Sequence, residues 1–303
     1  MNFILRSITT AFLFMTLSGC SVREFVLGSV FNSAGDSISA IYLSENDPDL
    51  VRESLPTNMK LIELLIQQSP GNPALLTSAC QVFTVYAYAF ILRDAEIVMD
   101  ENFSESRRLA KRGKKLLLRA RDYGMEAFEA KYPGFGKSYA SDPKSALTKV
   151  SNEDLSLLYW TAASWGLLIS SSKDNPAAIV ELPNMGHFLE RGLELDESYD
   201  RGSFHDLMFT YTLSRPDGGS SAPEIAIKHY NRAMKLSEGS RASLYISYAE
   251  SISVSNQNKE EFLELLDKAL AVDVDEIPGQ RLSNILAQER AQWLRERVDE
   301  LFF

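Results

Sequence analysis

Cysteine is nearly missing from this 303-residue chain, which has only Cys20 and Cys80. Histidine is almost as scarce: His187, His205 and His229 fall on three different expected helices, without the spacing of metal ligands. A zinc centre needs clustered Cys and His, so no metal is assigned. A disulfide framework is also excluded, and the fold must stand on its apolar core. The 45% hydrophobic content and the chain length suffice for a sizeable one. Basic residues are in deficit, 31 against 41 acidic, for a net charge of −10. That balance argues against nucleic acid, whose affinity comes from Lys and Arg neutralising phosphates. Catalytic signatures are wanting too. There is no Gly-x-Ser-x-Gly turn, and Gly113-Lys114 lacks both the upstream glycine of a phosphate loop (Arg108 stands there) and its following Ser or Thr. Carboxylate pairs such as Glu260/Glu261 sit on solvated helix faces, so no catalytic residue and no cofactor are assigned. Long hydrophobic runs are absent as well. After Cys20 no stretch approaches the ~20 apolar residues of a membrane span, and 82–92 is too short.

What is present begins at the N-terminus. Arg6 gives a positive start, and 8–17 is mostly apolar, too short to span a bilayer but the length of a signal-peptide core. Leu17-Ser18-Gly19-Cys20 then resembles the lipobox of bacterial lipoproteins, an aliphatic residue and two small ones before cysteine. The resemblance implies cleavage before Cys20 and acylation of its sulfur, and two or more chains anchor a protein stably. Ser21 follows, not Asp, which by the sorting rules of such proteins implies the outer membrane and a periplasmic face. Cleavage removes one base and no acid, so the anchor gets no help from charge on anionic lipid. Cys80, in an apolar segment, reads as a small core residue.

Apolar residues recur at three- and four-residue spacing between Pro, Gly, Asn and Asp clusters, the pattern of an all-α chain. The expected organisation is a signal peptide at 1–19, a lipid-anchored leader and first helix at 20–50, and a helical domain at 51–303. Helices are expected at 24–42, 56–68 (opening with Pro56), 73–99, 104–123, 152–171, 183–195, 201–214, 222–236, 241–254, 258–272 and 279–301, with 124–150 looser. Four of them share a basic residue and then a small one in an apolar frame. The small residues are Ala120, Gly192, Ala233 and Ala269, separated by about 72, 41 and 36 residues. A period near 34 with paired helices marks tetratricopeptide repeats, and the small residue allows close helix approach. The first gap leaves room for a unit disguised by the 124–150 insertion. The fold class is therefore tetratricopeptide-like helical hairpins stacked into a compact α-solenoid.

Two features admit more than one reading. The basic run Arg107-Arg108, Lys111-Arg112, Lys114-Lys115 is a solvated helix face or a docking patch for an acidic partner. Trp160 and Trp165 point about 140° apart on one helix. Either that helix is buried on several sides, or one tryptophan lines an internal space.

Several segments in order resemble the TatT-like T-component family of TRAP (tripartite ATP-independent periplasmic) transporters. They include Arg119-Ala120-Arg121-Asp122-Tyr123-Gly124, the stretch from Leu158 to Gly166, Gly202-Ser203-Phe204-His205, His229-Tyr230-Asn231-Arg232-Ala233, Tyr248-Ala249-Glu250, and Asn284 with Ala287-Gln288. The resemblance implies a non-enzymatic, lipid-anchored accessory, often a homotrimer, with a cavity or pore through each protomer. Its partner would be a periplasmic substrate-binding P-component, and its cargo a small hydrophobic ligand. Trp160, Trp165 and His205 are the cavity candidates. The competing reading is a tetratricopeptide-like scaffold of envelope assembly with no transport role.

Overall fold

The computed structural model describes residues 40–172 and 175–303. The expected signal peptide, Cys20 and most of the 24–42 helix lie outside the described residues. Among the described residues there is no strand, and fourteen helices make up an all-α fold.

Helix α1 runs Pro48–Gln68. It begins eight residues before the expected start, because Asp47 accepts hydrogen bonds from the amides of Asp49 and Leu50 and Pro48 occupies the first turn. Pro56 lies inside the helix. Helix α2, Pro73–Ile97, is capped by Asn72 and passes through a π-turn at Ala87–Leu92. It is the one described helix long and apolar enough to cross a membrane. Leu76, Ala79, Cys80, Phe83 and Phe90 on it are fully buried by the rest of the chain, so it serves as a core helix. Burial pushes the Cys80 thiol up to about 12, far from reactive, with its Sγ 3.9 Å from Ser164 Oγ.

Helix α3, Phe103–Lys131, continues well past the expected end near 123. Gly124 does not terminate it. A Cβ there would stand 2.3 Å from Thr161 Oγ1, so this glycine lets two helices touch. The looser 124–150 region holds the end of α3 and a short hairpin of α4, Phe135–Ser141, and α5, Pro143–Leu147. Then follow α6, Leu155–Ser170, α7, Pro176–Val180, α8, Leu182–Asp196, and α9, Ser203–Ser214. The chain ends with α10, Ala222–Ser237, α11, Ala242–Tyr248 running into a second π-turn at Ala249–Ser253, α12, Lys259–Leu270, α13, Arg281–Glu296, and α14, Val298–Leu301.

Neighbouring helices pack as pairs: α2 with α3, α6 with α8, α9 with α10, and α11 with α12. The repeated small residue lies on the second helix of each pair. Ala120, Ala233 and Ala269 are fully buried, and a Cβ on Gly192 would enter the Phe204 ring at 2.2 Å. Four apolar clusters follow the pairs around the molecule. The circuit then closes. Leu282 of α13 is buried in the cluster formed by α1, α2 and α3, and Arg93 of α2 donates to Glu289 at 2.9 Å. Arg281 donates to the Ser44 carbonyl at 2.9 Å, and Arg297 pairs with Asp100 at 2.6 Å.

Candidate functional site

The first helices of successive pairs also touch, α2 against α6 and α6 against α9, and α11 packs on α13. The most informative residue there is Tyr88, in the α2 π-turn. It is 60% exposed, the state of a surface side chain. Yet its phenol is held above 10, first by burial among surrounding protein and then by the Glu250 carboxylate, with Asp206 and Glu96 adding to the effect and Arg290 opposing it. Those charges come from α9, α11, α13 and α2 itself. Tyr88 therefore borders a hollow open to water, with charges of several helices around it.

Both π-turns serve this hollow. One carries Tyr88, and the other carries Glu250. A π-turn adds a residue to the helical turn and re-aims the side chains on it, and such turns gather at functional sites. Between them Arg290 of α13 donates through both terminal nitrogens to Glu96 and through Nη2 to Glu250 at 2.6 Å, and it lies 4.6 Å from the Trp293 ring.

The remaining charge that acts on Tyr88 is Asp206 of α9. Burial raises its carboxyl above the usual range, with Arg241 opposing. Its carboxylate has no hydrogen bond and no ion pair within 4.0 Å among the described residues. Burial is the chief cause of the raised phenols of Tyr88, Tyr159 and Tyr230, on α2, α6 and α10, and the Asp206 charge adds to each. Arg241 is already engaged, donating to the Asp200 carbonyl at 2.7 Å and to Ser203 Oγ at 2.6 Å.

Comparison with known proteins bears on what such an interior belongs to. The family model described as TRAP transporter T-component matches residues 44–302, nearly all of the described chain. The chain belongs to that family. It is also 27% identical over 309 residues to an uncharacterized protein of Treponema pallidum (strain Nichols), with 94% of each chain covered. The family is one of transporter components rather than enzymes.

In this T-component the expected cavity residues have different settings. Trp165 is the core tryptophan, with its indole N–H on Glu181 at 2.8 Å, Arg121 over its ring and Phe188 beside it. Trp160 is partly exposed, belongs to no apolar cluster, and meets Tyr159 edge-on at 5.1 Å. His205 is buried, and the structure joins it to a histidine that spacing had kept apart. Its Nδ1 is 2.8 Å from His229 Nδ1, and its Nε2 is 3.2 Å from Glu197. Glu197 is held down to about 2, mainly by Arg232 and then by His205. With Nε2–H donated to Glu197, a neutral His205 presents Nδ1 as acceptor, and His229 donates to it. No group of metal ligands forms here or elsewhere among the described residues.

Burial lowers both imidazoles below 6.5, His229 to about 4. A base with a depressed folded pKa gives stability that is present above pH 6.5 and lost as pH falls toward 4. The loss should be on the order of 2 kcal/mol, screened because the ring is partly exposed. Urea melts from pH 7 to 4 should show this slope in the wild type and a shallower one in His229→Asn. Parallel slopes would mean the pair does not titrate with unfolding.

The sequence does not single out Asp206 or Arg290. Asp206 sits next to His205, but nothing in its spacing sets it apart from the 41 acids of the chain. A separate hollow of about 390 Å³ lies by the α4–α5 hairpin, bordered by Lys131, Tyr132, Ser138 and Lys149. Lys131 there is committed to the buried Asp154 at 2.5 Å.

Proposed function

We propose that this chain is a lipid-anchored periplasmic accessory of a TRAP-type uptake system. It receives a substrate-binding P-component at the membrane surface and shelters a small ligand in the hollow between its helix pairs. The observation that carries this is family membership across 44–302, together with an interior that holds wet polar side chains. On this reading the paired helices are tetratricopeptide-like units, the assembly is a homotrimer, Cys20 carries the lipid on the outer membrane, and no bond chemistry is involved. Trp160 stands at the hollow through its neighbour Tyr159. His205 stiffens the α9–α10 contact through His229.

Two measurements test it. Immobilised full-length protein should capture a TRAP substrate-binding P-component of the same organism, and consistent failure with correctly folded protein would remove the transport role. Cys20→Ser should shift essentially all of the chain from the membrane to the soluble fraction, while melting temperature and P-component capture stay unchanged. A membrane-bound Cys20→Ser protein would rule out the lipid anchor.

A further inference from the structure

We propose that the outward face of α3 is the docking surface for the P-component, and that it receives an acidic face of that protein. This rests on the accessory reading above, and it names where the partner sits and which charge holds it.

The chain is acidic, with a net charge of −10, yet residues 106–121 of α3 hold eight cations and no acid. Several of these have partners within the fold. Arg108 pairs with Glu105, Arg119 with Glu63 and Arg121 with Asp122, while Arg112 donates to the Tyr86 hydroxyl at 3.3 Å. Arg107, Lys111 and Lys115 are exposed and have no ion pair among the described residues.

Those three cations are four residues apart, so they stand in one row along the helix, spaced about 5–6 Å and spanning ~12 Å. The row begins at Phe103, four residues before Arg107 and 64% exposed, with the Arg107 guanidinium 5.9 Å from its ring centre. It ends at Leu118, one turn after Lys115 and 41% exposed. Apolar side chains at both ends with cations between them suit a protein partner, since aromatic residues and Arg are enriched where proteins meet. Carboxylates at i and i+4 on a partner helix have the matching spacing.

Like charges four residues apart also work against a helix, and α3 carries three such pairs: Arg107 with Lys111, Arg108 with Arg112, and Lys111 with Lys115. Charges of alternating sign would hold an exposed face better. Local choices that oppose the fold concentrate where a protein binds something. A basic row on an otherwise acidic surface draws an acidic partner to one face and repels it from the others, which fixes its orientation. A bilayer fits the row less well. An interfacial helix inserts its apolar face into lipid, whereas the apolar face of α3, with Leu109, Leu117 and Phe128, is buried in the core.

Biolayer interferometry tests this with immobilised full-length protein, in a non-ionic detergent, and a purified TRAP P-component of the same organism. Wild-type binding should weaken about fivefold between 50 and 300 mM NaCl. The triple variant Arg107→Gln/Lys111→Gln/Lys115→Gln should weaken it on the order of tenfold, chiefly through slower association. It should melt at or above the wild-type temperature, because the substitutions remove repulsion within α3. Phe103→Ser should weaken binding through faster dissociation. Lys228→Gln/Lys235→Gln/Lys268→Gln makes the same charge change on α10 and α12 and should bind like the wild type. Undiminished binding by the α3 triple variant, or an equal loss in the α10–α12 variant, would overturn the proposal. So would sedimentation with phosphatidylglycerol vesicles that the α3 variant loses while it keeps the P-component, since the face would then belong to a membrane. Wild-type binding that the α3 variant retains sinks this inference alone, whereas a wild type that binds no P-component sinks the accessory reading and this inference with it.

Discussion

Phe188→Ala should cost about 3–5 kcal/mol of stability, the range for emptying a fully buried aromatic site. Phe188 of α8 is 0% exposed. Its ring stands 5.3 Å from Phe128 of α3, 5.1 Å from Tyr139 of α4 and 6.1 Å from Trp165 of α6. Four helices therefore meet on one side chain. Phe128 and Phe135 stack at 4.7 Å beside it. A site bounded by large flat rings on separate helices collapses poorly, so the cost should lie in the upper half of the range. For a domain of this size that is a fall in melting temperature on the order of 10 °C. Calorimetry on the wild type, Phe188→Leu and Phe188→Ala checks it. Leu keeps most of the volume and should lose about 1–1.5 kcal/mol. A loss below 2 kcal/mol for Ala would mean that the cluster closes over the gap, and that α4 and α5 do not depend on this ring.

This cluster also shows how far the sequence could be read. Its helices were visible because their apolar spacing is local: α6, α8, α9, α10 and α12 begin and end within about three residues of expectation. The basic-small repeat was visible because each small residue is fully buried at a helix contact. Pro56 and Gly124 misled, each for a physical reason. A proline marks a helix start only if no better cap precedes it, and Asp47-Pro48 does. A glycine ends a helix only if its left-handed freedom is used. Gly124 instead uses its missing Cβ, against Thr161. The two tryptophans were separable by angle, but only the structure says that Trp165 is the core one.

The candidate site was almost illegible. His205 and His229 are 24 residues apart, on helices whose contact no local pattern specifies. The π-turns that bear Tyr88 and Glu250 shift the helical register and leave no signature in composition. The three partners of the central ion cluster, Glu96, Glu250 and Arg290, come from the two ends of the described chain. Arg290 and Glu96 are 194 residues apart. Closure of the circuit is therefore a tertiary property, set by where the last helix meets the first.

Arg290→Ala tests that closure, and its effect should exceed that of an ordinary surface ion pair. An exposed pair is worth about 0.2–1 kcal/mol, whereas breaking a buried one costs 3–5 kcal/mol. The Arg290 side chain is 22% exposed, Glu250 35% and Glu96 39%, so solvent screens part of the interaction. About 2–3 kcal/mol is expected. The loss has three parts: bonds to two carboxylates, the stacking on Trp293, and the repulsion between Glu96 and Glu250 once the guanidinium between them is gone. The repulsive part gives the prediction its sharpest form. Added salt should recover some of the stability of Arg290→Ala while doing little for the wild type. Glu250→Gln in the Arg290→Ala background should recover more than it costs in the wild type, a coupling that a double-mutant cycle measures directly. Hydrogen exchange should speed up along α13 and at the α1–α2 face it covers, with the Phe188 cluster protected as before. A loss spread evenly over all helices would mean that α13 is an integral part of the core. A loss confined to α13 and its seat would show that the circuit is held shut at this point, by the Glu96–Arg290–Glu250 cluster.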